Sequence, residues 1–507
     1  MNIATTQRQV FQILLTIFLL LTVSLSGCGR ANQVDTEATW PIPKLPDTAA
    51  GRQFDAYLAA LNSNDPDRLA TFVADHFSAV GPDGGDLNHR QRSMAQFYKA
   101  SHGLNLYEVT DSQAMSVTVI AQLRLTQEWR RMTIFVEETD PHLISGIMIQ
   151  PVDVPADVVV AAQNPQSLEE QIDLYIQNLV AADRFSGVVL VANAGEPIFE
   201  EAYGLANQEA QIPNGIDTRF GYASVGKMFT AVAIVQLAEA GKLNYTDPMS
   251  RYLPDYPAAV ADQVTIDQLL THRSGIPDFF EEWARFQQVQ VSTDPQRDYL
   301  SLFMHEPLHF TPGERFEYSN SNYILLGAII EQVSGLSYAA YLQTHIFDPA
   351  GMTATTLSAA GIDEQLLAQN YTEFDENLQP VDGPRQLATV FQGAVGSAAG
   401  GGYTTVGDLL KFDQALRTHK LLSPEGTEVL LTDRVDYERP GYRYAYGFIV
   451  REQAGEAFVG HSGGSHGVDA QFEMDRTHGY TVIILANYEL VAEPILIHIE
   501  QLLHSSQ

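Results

Sequence analysis

The chain has 507 residues, more than one hydrophobic core usually organises, and 45% of them are hydrophobic, so two or more packed domains are expected. Its 62 acidic against 29 basic residues leave a formal charge of -33, scattered along the chain rather than run in blocks. Such a surface repels phosphate backbones and anionic lipid alike, which argues against a nucleic-acid partner. The single cysteine, Cys28, leaves no disulfide, so the domains must hold by packing alone.

In chain order, Arg8 precedes an apolar run from Ile13 to Leu25 that ends at Ser26, Gly27 and Cys28. The run falls short of the roughly 20 apolar residues of a membrane-spanning helix and fits the apolar region of an export signal. Leu25-Ser26-Gly27-Cys28 resembles the bacterial lipoprotein cleavage box. That resemblance implies a signal peptide over 1–28, lipidation of Cys28, attachment to the membrane by a lipid anchor only, and a mature chain outside the cytoplasm. Residues 29–49 are polar and carry Pro41, Pro43 and Pro46, the composition of an extended linker.

Phe54 to Leu61, Asp67 to Phe77 and Arg90 to His102 read as helices, broken at Asp65-Pro66-Asp67 and by the glycine-rich stretch from Gly81 to Gly85. Met115 to Leu123, Trp129 to Glu137 and Leu143 to Pro151 read as strands. Helices followed by strands predict a small α+β domain over 50–155, ended by Pro151, Pro155 and Pro165. It resembles the nuclear-transport-factor-2-like family, a resemblance that carries no site residues.

A second domain is expected over 165–507. Ser167 to Ala182 reads as a helix, and Gly187 to Ala194 with Pro197 to Tyr203 as a strand pair. Helix-rich sequence follows, and strands return at Tyr446 to Arg451, Ala457 to Val459, Val468 to Met474 and Tyr480 to Leu485, before a last helix from Val491 to His504. Strands from both ends are expected to share one sheet, with helices packed around it and a helical insertion between.

Three motifs in this domain carry chemistry. Ser224-Val225-Gly226-Lys227 opens a long apolar helix, closed by Gly241 as a C-terminal cap. Three-residue spacing puts Ser224 and Lys227 on one helix face, at the positive end of the helix dipole. A lysine can take the serine proton only if its pKa falls from about 10.4, and burial on this helix would lower it. Lysine occurs at six positions, and only Lys227 has serine three residues before it. Tyr318-Ser319-Asn320 follows Pro312-Gly313 and precedes the apolar run Tyr323 to Val333. Its phenol can relay a proton and its amide can hold a substrate carbonyl. His461-Ser462-Gly463-Gly464 is expected at a strand edge, where glycines let a substrate approach and a strand N–H beside that of Ser224 could form an oxyanion hole.

In this order the motifs resemble the serine β-lactamase-related family, which includes class C β-lactamases, D-alanyl-D-alanine carboxypeptidases and related esterases. Leu269 to Pro277, Phe310 to Gly313 and Gly400 to Thr405 look similar too. The resemblance implies a β-lactamase/transpeptidase-like α+β fold, an antiparallel sheet flanked by helices plus a helical subdomain. It implies acylation of Ser224, base duty shared by Lys227 and Tyr318, and substrate binding by Asn320, His461, Ser462 and Gly463. The N–H groups of Ser224 and Gly464 would hold the oxyanion, with no metal or cofactor. The β-lactamases of this family usually carry lysine where His461 stands; histidine there resembles D,D-peptidases and other hydrolases and makes β-lactam hydrolysis weak or absent.

Two literal motif matches compete. Gly460 to Gly464 spells a nucleophile elbow with Ser462, but an elbow must lead into a helix and the sequence here predicts a strand. His305-Glu306-Pro307-Leu308-His309 spells a zinc-protease helix, but Pro307 fits a loop. The expected function is therefore an extracytoplasmic serine hydrolase acting through an acyl-enzyme on a small peptide, amide or ester. The alternatives are a D-Ala-D-Ala carboxypeptidase, a β-lactamase proper, or a non-catalytic lipoprotein that binds cell-wall fragments. The sequence leaves protein partners open.

Overall fold

The computed structural model describes residues 40–505 apart from 64, 79–86, 153–166, 290–294, 377–380, 382, 391–394, 440 and 454. Cys28, its cleavage box and the loop from Gly81 to Gly85 lie outside the described residues. By contacts the chain divides into two units, one reaching to Arg184 and including Glu373–Arg385, the other comprising Phe185–Thr372 and Gln386–Gln507.

In the first unit α1 (Ala49–Leu61), α2 (Pro66–His76) and α3 (Leu87–Ser101) precede strands β1 (Leu104–Ser112), β2 (Ser116–Leu123), β3 (Trp129–Val136) and β4 (Ile144–Pro151). The strands pair in sequence order as an antiparallel meander. Asp65 starts α2 by accepting the N–H groups of Asp67 and Arg68, with Pro66 at the first helical position. β1 has no counterpart among the expected strands, because from Tyr107 onward it is half or fully exposed and lacks the alternation that betrays a strand.

Helix α4 (Leu168–Ala181) starts with a reciprocal capping box between Ser167 and Glu170. By contacts it groups with the first unit. Its buried Tyr175 lies within electrostatic reach of Glu128 and Arg130, beside and on β3.

In the second unit β5 (Gly187–Asn193) and β6 (Glu196–Tyr203) form a hairpin, and β7 (Phe220–Gly221) leads through a 3-10 turn (Ala223–Val225) into α5 (Gly226–Glu239). Helices α6 (Ile266–Leu270), α7 (Pro295–Phe303) and α8 (Asn320–Ser334) follow, then β8 (Tyr403–Thr404) and α9 (Val406–Arg417). The last elements are β9 (Val435–Asp436), β10 (Tyr442–Tyr444), β11 (Ile449–Gln453), β12 (Glu456–Ser465), β13 (Val468–Asp475), β14 (Tyr480–Ala486) and α10 (Ala492–Ser505).

Among the described residues one eight-stranded antiparallel sheet runs β9-β10-β11-β12-β13-β14-β5-β6, so strands from both ends of the unit share it. β12 is longer than its sequence pattern suggests and carries His461 to Gly464 inside the strand. The strand is interior to the sheet, flanked by β11 and β13. Its pairing with β11 nevertheless stops at Ile449↔Gly460, while that with β13 continues to Ser465↔Val468. Residues 461–465 therefore have a strand on one side only.

α5 is the core helix, with every residue from Gly226 to Val235 buried. Uniform burial explains why it shows no polar stripe. It ends in the hydrogen-bond pattern of a left-handed glycine cap, with Lys242 N–H to the Leu237 carbonyl and Gly241 N–H to the Ala238 carbonyl, both 2.9 Å, and a φ of +66° at Gly241. Phe229 meets Tyr222, Phe347 and Phe412 edge to face at centroid distances of 5.6, 5.3 and 4.9 Å. Phe229→Ala should cost about 3–5 kcal/mol. Urea or thermal unfolding of the variant checks this.

Candidate active site

The backbone that enters α5 is strained just before Ser224, with Ala223 at φ +42°, a region L-residues seldom occupy. Two glycines admit other segments against it. A Cβ on Gly400, itself at φ +140°, would stand 2.5 Å from the Ala223 carbonyl oxygen and 3.0 Å from the Ser224 nitrogen. A Cβ on Gly463 of β12 would stand 2.4 Å from the Tyr222 carbonyl oxygen and 2.9 Å from the Ser224 nitrogen. Only glycine lets the loop and the strand come this close. The Gly401 N–H also donates to the Ala223 carbonyl at 3.1 Å, and Tyr222 N–H to that of Gly402 at 3.2 Å.

Lys227 is fully buried, and its Nζ has three acceptors: Ser224 Oγ at 3.0 Å, Asn320 Oδ1 at 2.7 Å and the Ala399 carbonyl at 2.5 Å. Burial lowers its pKa to about 7, against the opposing pull of Asp278. The ammonium also lies 5.0 Å from the centre of the Tyr318 ring. The hydroxyl groups of Tyr318 and Ser224 share a hydrogen bond, and burial holds the phenol well above its ordinary pKa.

Three consecutive N–H groups pin the Tyr318 loop to two segments, one between β9 and β10 and one that follows α6. Tyr318 N–H bonds to the Glu438 carboxyl between β9 and β10, and Ser319 N–H to Nδ1 of His272 at 3.2 Å. Asn320 N–H and Nδ2 both donate to Asp278 Oδ2 at 2.7 Å. Burial raises the Asp278 pKa, while its bonds from Asn320 and Phe280 and the nearby Lys227 oppose the rise. His272 is buried and stacks on Tyr318 with centroids 4.3 Å apart.

Ser224, Lys227, Tyr318 and Asn320 are thus brought together, with Gly463 against Ser224 and Gly464 next along β12. His461 is placed differently from its expected role as a free substrate ligand. It is only 4% exposed, and both ring nitrogens are engaged: Nδ1 with the Ser462 carbonyl at 2.5 Å, Nε2 with Tyr444 Oη at 3.1 Å. Burial, then the nearby Lys227, pushes its pKa down to about 3. Ser462 lies within a continuous strand, so the elbow reading fails. His305 and His309 lie in the loop after α7, where His309 binds Glu317 at 2.7 Å.

Asp278, Glu438 and Tyr444 escaped the sequence reading. Asp278 directly follows the Leu269 to Pro277 stretch, which held His272; Glu438 and Tyr444 carry no local pattern.

The sequence profile of the family described as Beta-lactamase matches residues 172–497, more than half of the chain. The chain belongs to the β-lactamase family. Among relatives of this β-lactamase-family chain, penicillin-binding protein 4* of Bacillus subtilis (strain 168) is 31% identical over 64% of this chain and 73% of the relative. A penicillin-binding protein of Bacillus halodurans of known structure aligns with a TM-score of 0.58 at 34% identity, over 64% of this chain and 98% of its own. The D-stereospecific amidohydrolase of a Streptomyces species aligns at 0.53 and 25% identity, over 63% and 96%.

Asp278→Ala should leave the Asn320 backbone and amide donors without their buried acceptor, at a cost of about 1–3 kcal/mol. The unfolding midpoint should fall, and Ser224 should react more slowly with a fluorophosphonate. Gly400→Ala should slow the same labelling by displacing Ser224. Labelling unchanged in Gly400→Ala would separate the loop from the nucleophile.

Proposed function

We propose that this chain is an exported, lipid-anchored serine hydrolase that works through an acyl-enzyme at Ser224 on a small ester, amide or short peptide. The observation that carries it is the fully buried Lys227 amine 3.0 Å from Ser224 Oγ, with burial holding its pKa to about 7. A lysine so placed is half neutral near pH 7 and can accept a proton, as an exposed one cannot. The names of two relatives, a penicillin-binding protein and a D-stereospecific amidohydrolase, support the substrate range.

In the first step the Ser224 proton passes to the Lys227 amine as Oγ bonds to the substrate carbonyl carbon. The N–H groups of Ser224 and Gly464 hold the oxyanion. Tyr318, kept as a neutral phenol by burial, donates its proton to the leaving group as that bond breaks, and recovers one from the Lys227 ammonium. Water then attacks the acyl ester by the reverse roles. Asn320, its amide held between Lys227 and Asp278, keeps the Lys227 amine in place beside Ser224. Base duty thus falls on Lys227, with Tyr318 as the proton carrier. The first unit, which resembles nuclear-transport-factor-2-like domains in its helices-then-sheet order, serves as a docking or spacer module.

On the soluble form beginning after Cys28, Ser224→Ala should abolish both fluorophosphonate labelling and ester turnover. Lys227→Ala should reduce acylation roughly 100- to 10,000-fold. Because the base form is the neutral amine, kcat/KM should climb as pH rises toward about 7 and level off above it. A rate that falls with rising pH through that range would rule Lys227 out as the base. Nitrocefin should be turned over more slowly than a simple ester.

A further inference from the structure

The wall of the site beside Tyr318 is a run of hydrogen bonds whose directions can be assigned. A carbonyl oxygen only accepts, so His461 carries its hydrogen on Nδ1, toward Ser462. In the neutral ring Nε2 is then a bare acceptor, and the Tyr444 hydroxyl donates to it across 3.1 Å. With its proton directed there, Tyr444 Oη accepts from Nε2 of His272 at 3.2 Å. That leaves Nδ1 of His272 bare, as the Ser319 N–H at 3.2 Å requires. From Ser319 through His272, Tyr444 and His461 to the Ser462 carbonyl, every donor meets an acceptor and both rings are uncharged. A second proton on His461 would have to sit on Nε2 and drive the Tyr444 proton off that line. The low pKa of His461 agrees with this arrangement.

The leaving group of the proposed reaction lies on this side, because Tyr318 protonates it and the His461 ring is 6.4 Å from the Tyr318 ring. Among the described residues, the charged groups that bear on it present no cation in contact with His461: the one whose charge reaches that ring, Lys227, is turned to other partners. Lys227 is committed to Ser224, Asn320 and Ala399. The side chains of Asp278 and Glu438, which hold the Tyr318 loop, bring negative charge or none. Arg439, on the same segment as Glu438, is paired with Glu493 at 2.5 Å. A substrate carboxylate carried here would lose water without gaining a cation.

We propose, resting on the acyl-enzyme reading above, that the site selects acyl donors whose leaving group is uncharged, esters and neutral amides, over peptides ending in a free carboxylate, with Tyr444 and His272 as positioning residues that keep His461 neutral. The selection works by omission of a cation rather than by a dedicated contact.

A matched pair tests it: the thioester of N-benzoyl-D-alanine with thioglycolate, and the same thioester with the thioglycolate carboxyl as its methyl ester, both followed by release of free thiol. The wild-type protein should favour the methyl ester in kcat/KM by about tenfold or more. His461→Arg, whose guanidinium keeps its charge even when buried, should bring that ratio to one or below. Tyr444→Phe should shrink the ratio, whereas a merely structural role would lower both rates equally and leave it unchanged. Equal rates, or a preference for the free carboxylate, in the wild type would overturn the selectivity while leaving Ser224 chemistry standing. Absence of Ser224-dependent turnover of either thioester would overturn the reaction and the selectivity with it. An unchanged ratio in Tyr444→Phe would remove Tyr444 from the assignment.

Discussion

The burial of one amine organises the second unit. Lys227 sits on a helix whose neighbouring residues are all buried, so its ammonium can be hydrated by nothing and must find acceptors within the protein. It finds three, from the turn before α5, the start of α8 and the loop before β8. Each must be positioned to about the length of a hydrogen bond, which ties together segments far apart in sequence. The arrangement costs stability. Between about pH 7 and its ordinary pKa of 10.5, the unfolded chain binds a proton at Lys227 that the folded chain does not, so stability contributed by this group rises with pH over that window. Below about pH 7 both states hold the proton and the folded state bears the full desolvation penalty. The large apolar core around α5 offsets it.

Close approach of backbones is the second constraint. The strained turn at Ala223, the glycine loop and β12 meet around the Ser224 nitrogen at distances that leave no room for a side-chain carbon at Gly400 or Gly463. The end of β11 opposite Gly460 leaves the following residues of β12 paired on one side only. One strand outruns its neighbour next to a helix start.

Much of this was legible in the sequence. Ser224, Lys227, Tyr318, Asn320 and the glycines around 400 and 463 were all readable, because they stand as specific residue types at short spacings and short spacing survives in a linear reading. The strands of the large sheet were legible where alternation or β-branched runs marked them. β1 was not, since most of its length is solvated and carries no periodic signal. The true length of β12 was hidden by its glycines, which lower strand propensity where close backbone approach calls for them.

What the sequence by itself determined is the order and chemistry of the motifs: a serine with a lysine one helical turn on, a tyrosine at a second helix start, a histidine and glycines on a strand. Only the tertiary structure decided how those groups are charged and held. Lys227 has a depressed pKa because segments on all sides exclude water from it, and His461 is held below its ordinary pKa by burial and then by the nearby Lys227. Glu438, His272 and Asp278 fix the Tyr318 loop from distant points of the chain. Burial and long-range hydrogen bonds are properties of several segments at once, so no single stretch of sequence records them.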